Sequence, residues 1–313
     1  MDLLDMKSYF RVMLGKKSEL AKQCFDGNFI GIDYGIKQDL QQNLLEDRHT
    51  FREKFASIYL QVLPVKSKIA AGLAVSSLWT IFKEIQKGDI VLSHNRNGQY
   101  RVGEVTGDYY YSSEDFLPHR RPVIWRQDLI DRKSMSIGLK NSAGANGTVI
   151  NISSYSQEIE SLIGTAPAST LMGKDESVKD SAIFALEKHL EDFLVANWDH
   201  TEFGKDYEIY EEDGEKIGLR YPTDTGPMDI LAIKKDKSEL LVVELKRGRA
   251  GDAVVGQIMR YMGFVKEELL EENQSVKGAV IALEDDQKVR RALVMIPAVQ
   301  FYRYEIIFKL VRV

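Results

Sequence analysis

The sequence predicts a two-part α+β protein, in which a small β-barrel decorated by helices precedes an α/β domain built on a mixed sheet. Three observations support this prediction. The 313 residues are long for one domain. The first half has apolar residues at a period of two around Asn97-Gly98, a strong hairpin signal. The second half alternates helical and strand patterns in the order α-β-β-β-α-β-α-β, which is typical of an α/β sandwich.

The first half begins with helical patterning between Leu3 and Leu14 and continues with a short strand. Two helices and then three strands follow, and Asn95–Gly98 forms the turn between the first two of these strands. Several strands with intervening helices and glycine turns indicate a small barrel. The strand segments are NFIGIDYG, GDIVLS, QYRVGEVTGDYYY and RPVIWRQDLI, and the helical segments are FREKFASIYLQVL and SKIAAGLAVSSLWTIFKEIQ.

The two halves meet in SLIGTAPASTLMGKDES, which is rich in small and polar residues and has no sustained periodic face. We therefore expect a first domain over residues 1–152, a linker over 153–175 and a second domain over 176–313.

The second half starts with a helix that Ser177 or Asp180 can cap, since apolar residues then recur at helical spacing. Lys235–Ser238 is a turn that makes the second and third strands a hairpin. The remaining elements run from a helix over residues 253–270 to the end of the chain. The strands are DYEIYEE, MDILAIKK, LLVVELKRG, KGAVIAL and QFYRYEIIFKLVRV, and the last helix is DQKVRRALVM.

Composition places the chain among ordinary globular proteins, with 44% apolar and 28% charged residues. Residues 1–152 contain 21 Lys and Arg against 17 Asp and Glu, whereas the remainder contains 21 against 30, so the first half permits a basic face for nucleic acid. Cys24 is the single cysteine, the start MDLLDMKSYF has no signal-peptide pattern, and IAAGLAVSSLW is too short to span a bilayer. We therefore expect a soluble cytoplasmic protein that does not contact membranes.

Charged residues end the very apolar strand LLVVELK. Residues two apart in a strand share a face, so Glu244 and Lys246 project together, and Asp229 heads the partner strand of the hairpin. Converging carboxylates can bind Mg²⁺, and a nearby lysine can orient a water or stabilise developing charge. The alternative is a solvated strand end. An acid two residues before a lysine occurs four times in the chain, but only this instance ends an apolar strand beside an aspartate.

These residues carry a resemblance to a known family. The segment GPMDILAIKKDKSELLVVELKRGRAGDAVVGQIMRYMG resembles the PD-(D/E)XK nuclease superfamily, in the RecB-like branch represented by the NucS endonuclease C-terminal domain. The resemblance covers roughly residues 178–285 and implies a restriction-endonuclease-like fold. In that branch the helix after the strands carries Gln-x-x-x-Tyr, which Gln257 and Tyr261 match. Pro227 precedes Met228 rather than Asp229, a departure from the proline of the family name.

The resemblance also implies roles. Asp229 and Glu244 would bind Mg²⁺, for which Mn²⁺ can substitute, and Glu191 from the preceding helix would complete the site, with Glu187 as the alternative. Lys246 would position the attacking water, and Gln257 and Tyr261 would order Lys246 and the phosphate. Each residue also has a purely structural interpretation, as helix packing or as a solvent-exposed charge. The arginines that would hold the DNA backbone are Arg247, Arg249 and Arg260, and His189 is expected to be structural.

The first half, in GDIVLSHNRNGQYRVGEVTGDYYY and PHRRPVIW, resembles the PUA-like superfamily near its EVE-type members, over about residues 25–152. The resemblance implies nucleic-acid recognition, with a flipped modified base stacked between aromatic side chains. Most aromatics should still be core residues. The candidates for the base pocket are Tyr34, Trp79 and Tyr109, with Asp33 as an edge acceptor and Phe29, Tyr110, Tyr111 and Trp125 as further aromatics. The candidates for phosphate contacts are Arg120 and Arg121, beside His119.

The leading hypothesis is a Mg²⁺-dependent DNA endonuclease directed to modified or foreign DNA, as in restriction and defence. Two alternatives stay open: a repair nuclease acting on branched, mismatched or single-stranded DNA, and a reader that binds DNA without cutting it. Double-strand cleavage needs two active sites or two visits, so a homodimer is a reasonable expectation.

Overall fold

The computed structural model describes residues 7–42, 47–113, 116–145, 147–164, 190–284 and 286–305. They fall into two compact units, Met1–Leu171 and Met172–Val313. Within the described ranges, no helix combines the length and apolar character needed to cross a membrane. The predicted helical features at Leu3, Ser177 and Asp180, and the end of the last predicted strand, lie outside the described residues.

The first unit contains a mixed sheet in the order β2-β6-β4-β3-β1-β7, with β5 also paired to β6. Only β1 and β3 run parallel; the other described pairs are antiparallel. The elements are β1 (Tyr9–Val12), α1 (Ala21–Asp26), β2 (Phe29–Ile32), α2 (Arg48–Val62), α3 (Lys68–Trp79), β3 (Ile90–His94), β4 (Gln99–Val105), β5 (Tyr110–Tyr111), β6 (His119–Asp131), α4 (Ile137–Ala143), β7 (Val149–Asn151) and α5 (Ser156–Leu162).

Strand β1 corrects the helical patterning predicted for the start of the chain. Tyr9–Val12 lies between β3 and β7, and all four of its side chains are buried. A strand that is covered on both faces has no polar alternation, so its apolar residues can match a helical spacing by chance. The predicted strands β2, β3, β4 and β6 and the helices α2 and α3 are present, and the turn at Asn95–Gly98 joins β3 to β4.

The long strand β6 makes the sheet curl. Residues 123–131 of β6 pair with β4, whereas residues 119–122 pair with β2 and β5. The register against β4 shifts between Arg101 and Gly103. A Cβ at Gly103 would lie 2.4 Å from Val123 Cγ1, so only glycine allows this close approach. Within the described residues, the predicted barrel is thus a curled sheet. Its strand order ends at β2 on one side and at β7 on the other.

Helices α2 and α3 cover this sheet and supply much of the core. The α2 residues Phe51 and Phe55 and the α3 residue Leu78 are fully buried in one cluster with β2 and β6 residues. Each helix starts at a side-chain cap: Asp47 accepts a hydrogen bond from Thr50 N, and Ser67 accepts one from Ala70 N. The end of α3 continues as a π-helical turn, Thr80–Glu84.

A second core cluster in this unit changes the interpretation of residues 153–163. The sequence places the start of a linker there, but Ser156–Leu162 forms α5, and Ile159 and Ile163 pack with Tyr9 and Ile90. Three apolar residues in a short polar segment are enough to hold one helix against the sheet, although they are too few to show a sustained period.

Two buried arginines of β6 are structural. Arg120 donates to the carbonyls of Phe116 and Leu117, and its guanidinium lies 3.9 Å from the ring centroid of Phe29. Arg121 is 3% exposed and donates from Nε to Ile81 O at 2.6 Å and from Nη2 to Phe82 O at 2.7 Å. The prediction that both arginines meet phosphate is therefore wrong, because burial and these carbonyl contacts hold them inside the fold.

We predict that Arg121→Ala lowers the free energy of unfolding by about 2 to 4 kcal/mol, because two buried carbonyls at the end of the π-helical turn lose a charged donor. Arg126→Ala is the matched control on the same strand, since Arg126 only forms a partly exposed ion pair with Glu104 and should cost less than about 1 kcal/mol. Urea denaturation of the two variants measures both values. Equal losses would contradict the structural role of Arg121.

The second unit contains a mixed sheet in the order β13-β12-β11-β10-β8, with β9 also paired to β10. Strands β11, β12 and β13 run parallel, and β10 is antiparallel to its neighbours. The elements are a helix α6 that includes residues 190–196, α7 (Glu202–Asp206), β8 (Tyr207–Ile209), β9 (Leu219–Thr223), β10 (Gly226–Lys234), β11 (Glu239–Arg249), α8 (Ala253–Glu268), β12 (Ser275–Glu284), α9 (Gln287–Val294) and β13 (Val299–Arg303).

This arrangement confirms the predicted mixed sheet, and two elements are additional. The sequence patterns do not predict α7 or β9. Strand β9 contains Pro222 and lacks an apolar run, and Arg220 within it has a left-handed backbone with φ of 49°. The sequence of such a segment does not indicate a strand. The segment is a strand because its backbone pairs with β10.

The centre of the second sheet explains the continuous apolar run LLVV. One face of the sheet packs on α8, where Val254, Ile258 and Val265 are buried. The other face packs on Leu194, Trp198 and Phe203. Strand β11 is therefore covered on both sides, which requires apolar residues at successive positions.

Candidate active site

Pairing between β10 and β11 brings the predicted carboxylates together. The register matches Ile230 with Val243, so Asp229 and Glu244 form the next pair along the antiparallel ladder. Asp229 Oδ2 also accepts a hydrogen bond from Leu245 N at 2.7 Å. The structure thus places Asp229 opposite the end of LLVVELK, as the sequence predicts.

Lys246 joins this pair to helix α8. Its Nζ donates to Glu244 Oε1 at 2.7 Å and to Gln257 Oε1 at 3.0 Å. Gln257 Nε2 donates to the Tyr261 hydroxyl at 3.2 Å, and that hydroxyl donates to Pro227 O at 3.0 Å. A chain of hydrogen bonds therefore runs from the end of β11 across one turn of α8 to the start of β10.

Burial and charge shape the electrostatics of this group. Glu244 is 2% exposed. Burial, and next the Glu244 carboxylate, raise the pKa of Asp229 to about 7, and Glu191 adds a smaller contribution in the same direction. The Leu245 N–H and Lys246 act in the opposite direction. Burial likewise raises the pKa of Tyr261, so its hydroxyl keeps its proton and can donate at neutral pH.

Glu191, the predicted third carboxylate, is bound by an arginine. Arg220 Nε donates to Glu191 Oε1 at 3.1 Å, and Arg220 Nη2 donates to Glu191 Oε2 at 2.8 Å, which is a bidentate ion pair. Among the described residues, no three acidic, histidine or cysteine side chains are grouped as metal ligands. The alternative Glu187 and the predicted structural His189 lie outside the described residues.

The donor set at this site suits a hard divalent cation. Asp229 and Glu244 supply carboxylate oxygens, the ligand type that Mg²⁺ prefers. Their mutual repulsion, visible in the raised pKa of Asp229, is relieved when a cation lies between them. Two carboxylates are fewer than a closed protein site would use, and Mg²⁺ commonly retains several waters at such sites.

The predicted backbone-binding arginines have different surroundings. Arg249 Nη2 forms an ion pair with Asp286 Oδ2 at 2.7 Å, and its side chain remains largely exposed. Arg260 is exposed on α8. The side chain of Arg247 lies outside the description.

Several aromatic candidates for a base pocket in the first unit belong to its core. Trp79 is 9% exposed and packs edge-on against Phe51, with ring centroids 5.1 Å apart. The Tyr109 hydroxyl contacts His119 Nδ1 at 2.9 Å inside the fold. Trp125 donates to Cys24 O at 3.2 Å. Trp79, Tyr109 and Trp125 are therefore not available to stack on a base, which corrects the prediction for them, and the buried Phe29 lies under Arg120.

The remaining candidates in the first unit are nearer the surface. Tyr34 is half-buried and donates to Thr148 Oγ1 at 2.6 Å, and Asp33 is exposed with Oδ1 accepting from Gly35 N at 2.7 Å. Tyr110 is 38% exposed. Tyr111 shares a face with Tyr109, as alternation predicts, since both rings contact His119.

Sequence reasoning missed Arg220, which binds Glu191. Its only local signals are a charge and a proline two residues later, and neither indicates a partner on a helix about thirty residues earlier. The backbone groups Leu245 N and Pro227 O were likewise not identifiable before the register was known.

The raised pKa of Asp229 predicts a pH-dependent penalty. Its folded-state value of about 7 lies above the unfolded value of about 3.9, so the carboxyl destabilises the fold increasingly between these values and fully above about pH 7. In EDTA, Asp229→Asn should therefore gain stability over the wild type from about pH 5 to about pH 8, by about 2 to 3 kcal/mol. Urea denaturation across this range measures the difference.

Asp236→Asn is the matched control. Hydrogen bonds from Ser238 lower the pKa of Asp236, so this variant should gain nothing at high pH. A gain equal to that of Asp229→Asn, or a flat difference across the range, would contradict the assignment to Asp229.

Comparisons with known proteins agree with the location of this site. The family model of the endonuclease NucS C-terminal domain matches residues 186–298, and a family described as a domain of unknown function (DUF8426) matches residues 10–153. No curated protein matches the chain.

Solved structures with some likeness include an EndoMS–dsDNA2 complex and a repair endonuclease from Pyrococcus abyssi. The first is 14% identical over 69% of this chain and 64% of that chain, with a TM-score of 0.32. The second is 14% identical over 70% of this chain and 67% of that chain, with a TM-score of 0.30. EndoMS in its apo form is also 14% identical, over 70% and 65%, with a TM-score of 0.30. The alignment spans about two thirds of these proteins.

The family match and the hydrogen-bonded group lie in the same segment. The segment 186–298 contains Asp229, Glu244, Lys246, Gln257 and Tyr261. Residues 186–298 of the second unit are accordingly similar to the C-terminal domain of the endonuclease NucS.

Proposed function

We propose that this chain is a divalent-metal-dependent DNA endonuclease that acts on branched, mismatched or single-stranded DNA, as in repair. The observation that carries the proposal is the convergence of Asp229, Glu244 and Lys246 just beyond the last paired residues of β10 and β11, Ile230 and Val243. A surface strand end needs no buried glutamate beside a half-buried aspartate, with a lysine held by an adjacent helix. The match to the endonuclease NucS C-terminal domain supports the same conclusion.

Asp229 and Glu244 would hold the metal, Mg²⁺ or in its place Mn²⁺, with Glu191 as the further carboxylate of the site. When bound, the metal supplies a polarised phosphate and a more acidic water. Because the pKa of Asp229 is raised to about 7, a cation bound beside this carboxyl would lower that pKa and displace the proton partly retained near neutral pH.

Lys246 would act on the water and on the phosphate. Its ammonium is held by Glu244 and Gln257 at the place where the two carboxylates converge, so its charge would lie close to a phosphate bound there. A positive charge at that position stabilises the negative charge that develops on the phosphate oxygens. Gln257 and Tyr261 are positioning residues, because they contact Lys246 and the β10 backbone.

The first unit gives support for choosing between the two substrate classes. A restriction enzyme directed to a modified base needs an exposed pocket that stacks on that base. Trp79 and Tyr109 are core residues and Arg120 and Arg121 bind backbone carbonyls, so the support for that role is reduced. A nuclease directed to DNA structure needs only backbone contacts and shape, which this unit can supply without a base pocket.

We expect the wild type with Mg²⁺ or Mn²⁺ to cut a forked, mismatched or single-stranded DNA, and Asp229→Ala and Glu244→Gln to lose at least about a thousandfold in rate. Loss of one carboxylate removes several kcal/mol of transition-state stabilisation. Gel assays compare these substrates with unmodified, 5-methylcytosine, 5-hydroxymethylcytosine and glucosylated duplexes. Asp236→Asn, in an exposed turn of the same hairpin, is the control and should cut as the wild type does.

Each result separates the hypotheses. Cutting confined to one modified duplex would replace the repair proposal by modification-dependent restriction. DNA binding with no cutting on any substrate would overturn the nuclease proposal and leave a non-cutting reader.

Tyr261→Phe should keep the packing of the ring but remove the hydroxyl that bonds Gln257 and Pro227 O. Because Gln257 then holds Lys246 less firmly, we expect kcat to fall about tenfold with KM little changed. Tyr302→Phe is the control, since its hydroxyl bonds Gln300 at the other edge of the sheet. A larger change in KM than in kcat would show that Tyr261 acts in DNA binding instead of in positioning.

A further inference from the structure

A basic cavity lies in the first unit, outside every residue assigned above. It has a volume of about 320 Å³, near the lower end of the range for small-ligand pockets. Its wall is formed by the end of β1, the loop after it, the β3–β4 hairpin and the end of α4. The residues that matter below are Arg11, Lys17, His94, Tyr100, Arg132 and Val12.

Arg11 is the most buried of the charged residues in this wall, at 2% exposed. It donates from Nη1 to Gly147 O at 2.7 Å, and from Nη2 to Ala145 O. Its Nε is buried and has no hydrogen-bond partner among the described residues. Burial lowers the pKa of Arg11 to about 10, so its guanidinium still carries a positive charge at neutral pH.

Two further cations meet Arg11 at the cavity. Arg132 is half-buried and donates to Tyr100 OH at 3.3 Å and to Lys140 O at 2.9 Å. Lys17 is exposed at the rim. None of the described residues that line the cavity is acidic, and the ion pairs within the described ranges include none from these three cations to a carboxylate.

This arrangement is costly unless an anion compensates it. A buried charge loses its hydration, and proteins usually pair such a charge with an opposite one. Here the guanidinium of Arg11 is met by carbonyl dipoles, and the other two charged residues of the wall, Lys17 and Arg132, are also cations. An anionic ligand in contact with this wall would be attracted by all three cations.

The geometry favours phosphate over a carboxylate. Three cations around one cavity match a group that carries up to two negative charges and several acceptor oxygens, and arginine is well suited to phosphate. Apart from Ser18, the rest of the wall is apolar or aromatic, with Val12, Tyr100 and the ring of His94, which packs edge-on against Tyr100 at 5.2 Å. Such a wall can accept a sugar or a base beside the phosphate.

We propose that this cavity binds the phosphate group of a nucleotide, carried either by a free mononucleotide or by a DNA strand. Lys17 and Arg132 contact the phosphate, the buried Arg11 adds its positive charge from within the wall, and His94 contacts the rest of the nucleotide. The site does not depend on cleavage by the second unit, so it stands or falls separately from the proposed nuclease activity.

Isothermal titration of the full chain in EDTA, at constant ionic strength, tests this proposal. The probes are inorganic phosphate, deoxyadenosine monophosphate, deoxyadenosine and a short single strand without a terminal phosphate. We expect the phosphate-bearing probes to bind, and Lys17→Gln to weaken them about tenfold through loss of one charge-assisted contact. Lys16→Gln is the matched control, because the neighbouring Lys16 is exposed and does not line the cavity.

Arg132→Gln is a second variant and should weaken the same probes, with circular dichroism used to verify that α4 remains folded. Tighter binding of the strand than of the mononucleotide would identify DNA as the source of the phosphate, and the reverse would identify a free nucleotide. The proposal is overturned if no phosphate-bearing probe binds, if deoxyadenosine binds as well as its monophosphate, or if Lys16→Gln weakens binding as much as Lys17→Gln.

Discussion

The pairing of β10 with β11 is the constraint on which the second unit depends. Side chains alternate between the faces of a strand, so a slip by one residue would move Asp229 away from Glu244 and turn the buried residues of β10 outwards. The apolar run LLVV, buried from both sides, makes such a slip very unfavourable. The same burial that stabilises the sheet therefore fixes the spacing of two carboxylates at its end.

Holding these two carboxylates together lowers the stability of the fold, because they repel each other. The surrounding contacts reduce this repulsion. The Leu245 N–H and the Lys246 ammonium lie against the pair, and Gln257 and Tyr261 hold the ammonium in turn. The site is thus organised before any ligand arrives. Glu191 is not part of this hydrogen-bonded group, because its carboxylate forms an ion pair with Arg220 of β9. This ion pair affects how Glu191 could act as a third carboxylate beside Asp229 and Glu244.

Sequence patterns predicted the second unit well for a physical reason. Asp229, Glu244, Lys246, Gln257 and Tyr261 are related by the local periods of a strand, a hairpin and one helical turn, which a sequence displays directly. Arg220 has no such relation to Glu191 and was missed. In the first unit, the sequence shows that Arg120 and Arg121 are charged, but it does not show that they are buried. It likewise does not show that the rings of Trp79 and Tyr109 lie in the core. The helix predicted at the position of β1 was wrong for a related reason, since a strand buried on both faces has no alternation of apolar and polar residues.

The hydrogen-bonded group in the second unit comes from a short and continuous part of the chain. From Pro227 to Tyr261 the polypeptide forms one hairpin and the helix after it, and the five hydrogen bonds described for the group all join residues within this span. Contacts that are close in sequence form early and with little loss of chain entropy during folding. The hydrogen-bonded group can therefore form as one local unit, before the outer strands of the sheet have paired.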